Sequence, residues 1–203
     1  HEEKATLQSC FKLLGIKYVA FMVLGIFFVV GLDVGINATS GQFLLLKMQM
    51  GAETAQQGRS LYFFGKMLGT FVGAFLLVRF SPTKFLIGSS FASLLTSLLF
   101  IFSPTPLAAQ ILMFLIGLSA SNIFPLIFSL TVKEYPERAN EISGLMIMAV
   151  SGGAIIPPVV GIIADMINIT AGMYVFVFCS LYLIWVSFYT SNKNKKENVH
   201  VSH

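Results

Sequence analysis

Charge is what this chain has least of. Charged residues make up 11% of its 203 positions, less than half of the roughly 25% that a water-soluble domain carries to wet its surface. Cysteine is nearly absent too. Cys10 and Cys179 form neither a metal-ligand spacing nor a disulfide framework. One lies ahead of the first apolar run and the other inside the last, so no bridge between them is expected. The three histidines, His1, His200 and His203, are all terminal, which removes the usual general base and the usual zinc ligand from the body of the chain. No serine–histidine pair, paired aspartates or metal cluster stands within an apolar run, so a soluble or intramembrane enzyme is not expected, and no cofactor or metal is implied. The net charge of +4 lacks the basic stripe with interleaved aromatics that nucleic acid requires. An apolar signal-peptide core is also missing from the polar start HEEKATLQ. That start, at His1, reads as part of a longer chain.

What the chain has instead is apolar length. Hydrophobic residues reach 56%, phenylalanine alone supplies 20, and the mean hydropathy is +0.81. Six apolar runs near 17–38, 60–79, 84–102, 107–132, 141–163 and 172–190 each approach the roughly 20 residues that cross a bilayer as a helix. Unbroken runs of this kind exclude a β-barrel, whose strands alternate and are about half as long. The expected fold is therefore an all-α membrane protein, a six-helix transmembrane bundle over 17–190. A short polar segment (1–16) precedes it and a polar tail (191–203) follows, both expected on the cytoplasmic side. Lysine and arginine set that orientation. Ten of them (Lys4, Lys12, Lys17, Arg79, Lys84, Lys133, Arg138, Lys193, Lys195, Lys196) fall on one side, and Lys47 and Arg59 on the other.

The thirteenth basic residue, Lys66, falls inside the second run, and Asp33 falls inside the first. Charge in hydrocarbon costs about 2.5–3.5 kcal/mol on insertion scales, so each needs a reason. With the runs bounded as above, both lie within about 10 Å of the outer edge and opposite charges meet at one depth. Two readings stand: groups lining a wet cavity, or a structural ion pair with Lys66 free to snorkel. Asn37 follows Asp33 by one helical turn. Tyr62, Lys66 and Thr70 share a face of the second run, and Ser119, Asn122 and Ser129 punctuate the fourth. Asn122, whose amide donates and accepts, suits a polyol; the serines suit interhelical hydrogen bonds. Asp165 sits at an outer end, where a carboxylate is cheap. The sequons at Asn37 and Asn168 carry little weight.

Small residues and prolines form the second layer. Gly65, Gly69 and Gly73 present a close-packing face on the second run. In the fifth, Gly152 and Gly153 precede Pro157 and Pro158, and tandem prolines are expected to kink or unwind the helix as a structural bend or a hinge. Pro125 should do so more mildly in the fourth. The six runs also split into three plus three. First and fourth carry interior polar groups, second and fifth are glycine-rich, and third and sixth carry no charge and suit lipid contact, the pattern of an inverted repeat.

The stretch SASNIFPLIFSLTVKEYPERANEISGLMIMAVSGGAIIPPVVGIIAD (119–165), above all IFSL (127–130) and GGAIIPP (152–158), resembles helices ten and eleven of the L-fucose–proton symporter and glucose/galactose transporter family. GKMLGTFVGAFLLVRFSPTKFL (65–86) is similar to that family's eighth helix and the loop after it. The resemblance covers most of the chain. It implies one half, the C-terminal one, of a twelve-helix major facilitator fold in a bacterial inner membrane. It also implies a monosaccharide bound between the halves, proton symport by alternating access, and an N-terminal six-helix half as partner. The family's proton-carrying carboxylates lie in that other half, so Asp33 is not assigned the proton site; Lys66 stands where many relatives have arginine. A second architecture is a complete six-span carrier or channel that dimerises through the Gly65/Gly69/Gly73 face.

Overall fold

A computed structural model describes residues 7–201; the polar residues 1–6 and His203 of the readings above lie outside them. The described chain is helical almost throughout. A short helix α1 (Leu7–Lys12) and one 3₁₀ turn lead into α2 (Lys17–Met48), α3 (Ala52–Arg79) and α4 (Pro82–Ile101). Then come α5 (Pro106–Ala120), α6 (Ile123–Glu134), α7 (Ala139–Ala149), α8 (Gly152–Met166) and α9 (Ile169–Val201). Six spans result, because α5–α6 and α7–α8 are each one crossing with an interruption.

The turn chemistry sits where the loops were expected. In FSPTK, the Ser81 side chain accepts from the Lys84 backbone N–H while Pro82 opens the helix; in SPTP, Thr105 and Pro106 do the same for α5. Both are side-chain N-caps with proline in the first turn, where its missing N–H costs nothing. Asn168 caps α9 by accepting from the Ala171 N–H at 2.9 Å. The αL residue Gln49 (φ 51°) ends α2.

Three expected boundaries change. The first span runs ten residues past 38, through LLLKM, and the second begins at Ala52 rather than 60, because the polar stretch between them is helical except for a turn around 49–51. The last helix continues to Val201, so the tail from 191 is helical and continuous with the sixth span, whose membrane-length part ends at Lys193. The fourth and fifth spans are each divided near mid-length, at Ser121–Asn122 and Val150–Ser151. The first division lies where Pro125 removes the donor to the Ser121 carbonyl and crowds it. The second is not where tandem prolines were expected to unwind the chain. Pro157 and Pro158 sit inside the continuous α8, and the break falls one to two turns earlier, in i→i+3 turns around Val150 and Ser151.

Packing repeats with the three-plus-three symmetry. The second span lies along the fourth, and the fifth lies along the first. Phe114 and Leu118 carbonyls occupy the space a side chain would need at Gly65 and Gly69, and the Tyr62 carbonyl does so at Gly117. On the other side of the pseudo-axis, the Phe27 carbonyl fills that space at Gly152, and Ile156 fills it at Gly31. Small residues on both helices let the backbones touch. The Gly65/Gly69/Gly73 face is therefore buried inside this bundle and is not available for a dimer. The third and sixth spans pack on each other through small polar residues, with Ser90, Ser93, Ser97 and Ser180 buried. Their large apolar groups, Phe91, Leu95, Phe178 and Trp185, point outward. Two apolar core layers, one around Leu32, Phe43, Met113 and Phe176 and one around Val19, Met22, Ile127 and Met146, fill the two halves of the bundle's depth.

Candidate functional site

Between those two layers lies the one deep charge cluster among the described residues. Lys66 Nζ meets Asp33 Oδ2 at 2.5 Å, and the buried Tyr62 donates its hydroxyl to Asp33 Oδ1. Tyr62 and Lys66 reach one carboxylate because they are one turn apart on α3. Opposite them, α2 turns Asp33 and Asn37 inward from the adjacent antiparallel span. Asn37 Nδ2 donates to the Asp33 backbone carbonyl at 2.9 Å, while its Oδ1 is buried with no hydrogen-bond partner. An unsatisfied buried acceptor costs about 1–3 kcal/mol and marks where a donor is wanted. The Asp33 and Lys66 side chains remain 29% and 35% exposed, so the pair is clamped but not sealed.

Its depth differs from the sequence expectation. Asp33 is about 24 Å along α2 from Lys17 and about 22 Å from Met48. Lys66 is likewise near the middle of α3. With the helix ends extended, the pair lies at mid-length of both helices and not near one end. The interruption of the fourth span lies at the same level. A cavity of about 170 Å³ joins Val29, Val30, Asp33 and Lys66 to Ala120, Ser121, Phe124 and Pro125 at the break of the fourth span. An interrupted helix facing a cavity that holds charged groups is a recurrent design of secondary transporters. The Asp33 carboxylate and the Lys66 ammonium line this cavity and can hydrogen-bond hydroxyls, and the Phe124 ring, stacked with Phe128, offers an apolar face to carbon. No group of three or more His, Cys, Asp or Glu residues suited to a metal exists among the described residues.

The structure divides the sequence-nominated residues. Asp33, Tyr62 and Lys66 converge, with Asn37 beside them. Asn122 does not join them. Its Nδ2 donates to the Gly69 carbonyl at 2.7 Å and to Ser121 Oγ at 2.8 Å, and its side chain fills the space above Gly73, so it clamps the second span to the fourth. Ser119 Oγ donates to the Ile116 carbonyl, Ser129 is exposed, and Thr70 bonds the Lys66 carbonyl from an exposed position. Gly152 and Gly153 pack on Phe27, Val30 and Val34 of the first span. Phe124 and Ser121 were not anticipated; for Ser121 the offset of four residues back from Pro125 was the available signal.

Residues 19–202 match the family model described as the Major Facilitator Superfamily. A putative glucose/galactose transporter of Helicobacter pylori strain J99 is 32% identical over 178 residues, 83% of this chain and 42% of its own length. A glucose/galactose transporter of Brucella abortus is 31% identical over 170 residues, 82% of this chain and 41% of its own. The crystal structure of the major facilitator transporter FucP in the outward conformation superposes with a TM-score of 0.84 at 22% identity, covering 94% of this chain and 47% of that one. The chain thus spans about half the length of the curated relatives it matches. A second FucP structure, that of the Escherichia coli fucose:proton symporter variant, gives 0.83. With a six-span bundle of that fold and a family match running over nearly its whole length, this chain belongs to the Major Facilitator Superfamily.

Proposed function

We propose that this chain forms the C-terminal six-helix half of a bacterial inner-membrane transporter that imports a monosaccharide of the glucose, galactose or fucose type by proton symport. The observation that carries the reading is the cluster of Asp33, Tyr62 and Lys66 at mid-length of the first two spans, facing the interrupted fourth span. Sugars present hydroxyls that donate to a carboxylate and accept from an ammonium, together with an apolar ring face that suits Phe124. The names of the curated relatives and of the FucP structures support the substrate class and the coupling ion. In this reading Asp33 accepts from sugar hydroxyls, Lys66 and Tyr62 hold its carboxylate in place, and Asn37 Oδ1 accepts a further hydroxyl. Proton-carrying carboxylates sit in an N-terminal half, both ends of this half are cytoplasmic, and the two halves rock about the sugar.

Counterflow in proteoliposomes holding the intact protein, with labelled glucose, galactose and fucose in turn, tests the substrate. Exchange of at least one is expected, accelerated by an inward proton gradient in net uptake. Exchange of none, with or without the gradient, overturns the reading. The isolated half should not transport, since one wall of the cavity is missing.

A further inference from the structure

A second cavity, larger than the first, lies on the far side of Asn122 and takes no part in the cluster. It holds about 330 Å³ and runs between the second and third spans, which make little contact with each other, with the fourth span as its floor. Its walls are Gly73 and Leu76 of α3 and Phe85, Gly88 and Ala92 of α4, so it is a nearly apolar slot whose floor approaches the helix backbones. From Lys84 to Ala92 it extends about 12 Å along α4. At its mouth stands the Lys84 side chain, one short turn from Arg79, and both are exposed. Neither is in a salt bridge among the described residues, and the chain has no Asp or Glu at all between Glu53 and Glu134. The slot's lining therefore carries no carboxylate, and Glu134, the acidic residue at that end of the three spans, is already paired with Lys193.

We infer that this slot is a binding site for one anionic glycerophospholipid, with an acyl chain between the second and third spans and the phosphate against Lys84 and Arg79. The chemistry is complementary at both ends. An apolar slot at membrane depth takes hydrocarbon, and a basic pocket at the membrane boundary takes an anionic head group. The mouth faces the basic end of the bundle, where anionic lipid is attracted. Glycine makes the slot. A side chain at Gly73 would strike Asn122, whereas a Cβ at Gly88 meets nothing within 4 Å, so the slot can be filled from α4 without disturbing the packing.

The test is native mass spectrometry of the delipidated intact protein titrated with dioleoyl phosphatidylglycerol, and separately with dioleoyl phosphatidylcholine. One phosphatidylglycerol should bind at least tenfold more tightly than phosphatidylcholine. Gly88→Phe, which occupies the slot, and the double variant Arg79→Gln/Lys84→Gln, which removes the head-group cations, should each abolish that preference, while Gly88→Ala keeps it. Equal binding of the two lipids by the wild type, or undiminished phosphatidylglycerol binding in either variant, overturns the site. If Gly88→Phe fails to fold, the double variant, changed only at exposed positions, still decides.

Discussion

Neutralising the Asp33–Lys66 ion pair separates its structural from its functional role. At 2.5 Å two unit charges attract by about 7 kcal/mol at an effective dielectric near 20, and by about 2 kcal/mol in bulk water. Side chains that are 29% and 35% exposed place the pair toward the lower figure. Removing one partner leaves the other unpaired at mid-span, a situation that costs about 2.5–3.5 kcal/mol on insertion scales. Asp33→Asn and Lys66→Met should therefore each lower stability by about 2–4 kcal/mol. Removing both leaves no orphaned charge, so the double variant should lie within about 1 kcal/mol of wild type, a strongly non-additive cycle. The buried thiols Cys10 and Cys179 suit a thiol-reactive dye as the unfolding probe, with roughly 2–4 °C expected per kcal/mol for a chain of this size.

Counterflow on the same three variants completes the test. If Asp33 touches sugar, the double variant folds but exchanges poorly, by about tenfold or more, since each lost hydrogen bond to a charged group is worth about 1.5–3 kcal/mol. Exchange at the wild-type rate by the double variant would show the pair to be scaffold only and refute its substrate role. Simple additivity of the two single losses would refute the pairing itself.

Gly65→Val and Gly117→Val should each cost several kcal/mol, because the added carbons meet the Phe114 and Tyr62 carbonyls. Gly41→Ala and Gly161→Ala, in helices with nothing within 4 Å, should instead gain about 0.5–1 kcal/mol; the same melting assay reads all four. Asn122→Leu, which removes the interhelical hydrogen bond to the Gly69 carbonyl, should lose about 0.5–1.5 kcal/mol of stability without changing sugar selectivity, and a selectivity change would return Asn122 to the binding site. Pro125→Ala restores the donor to the Ser121 carbonyl and should slow exchange while raising the melting temperature. Pro157→Ala should leave the Val150–Ser151 interruption in place, which hydrogen exchange across the fifth span would report.

Why the bundle was legible and the site only partly so follows from what each depends on. Six spans and their three-plus-three pairing follow from apolar length and from glycine spacing, properties local to each helix. Asp33 and Lys66 announced themselves because charge in an apolar run is costly anywhere. Their depth did not, since it depends on where a helix ends, and the polar residues from Gln42 to Gln57 are helical on both sides of a turn around 49–51 even though hydropathy reads much of them as loop. Asn122 shows the opposite failure. An amide on a mostly apolar helix has the same appearance whether it faces a cavity or a neighbour's carbonyl, and only the close approach at Gly69 and Gly73 decides between them. The prolines make the same point. Pro125 acts four residues back because that carbonyl loses its donor. The equivalent carbonyls for Pro157 and Pro158 belong to Gly153 and Ala154, yet the chain interrupts earlier. There, Gly152 is drawn against the Phe27 backbone and Val150 and Ser151 are in turns, so contact between spans, and not proline alone, positions the break that faces the first span.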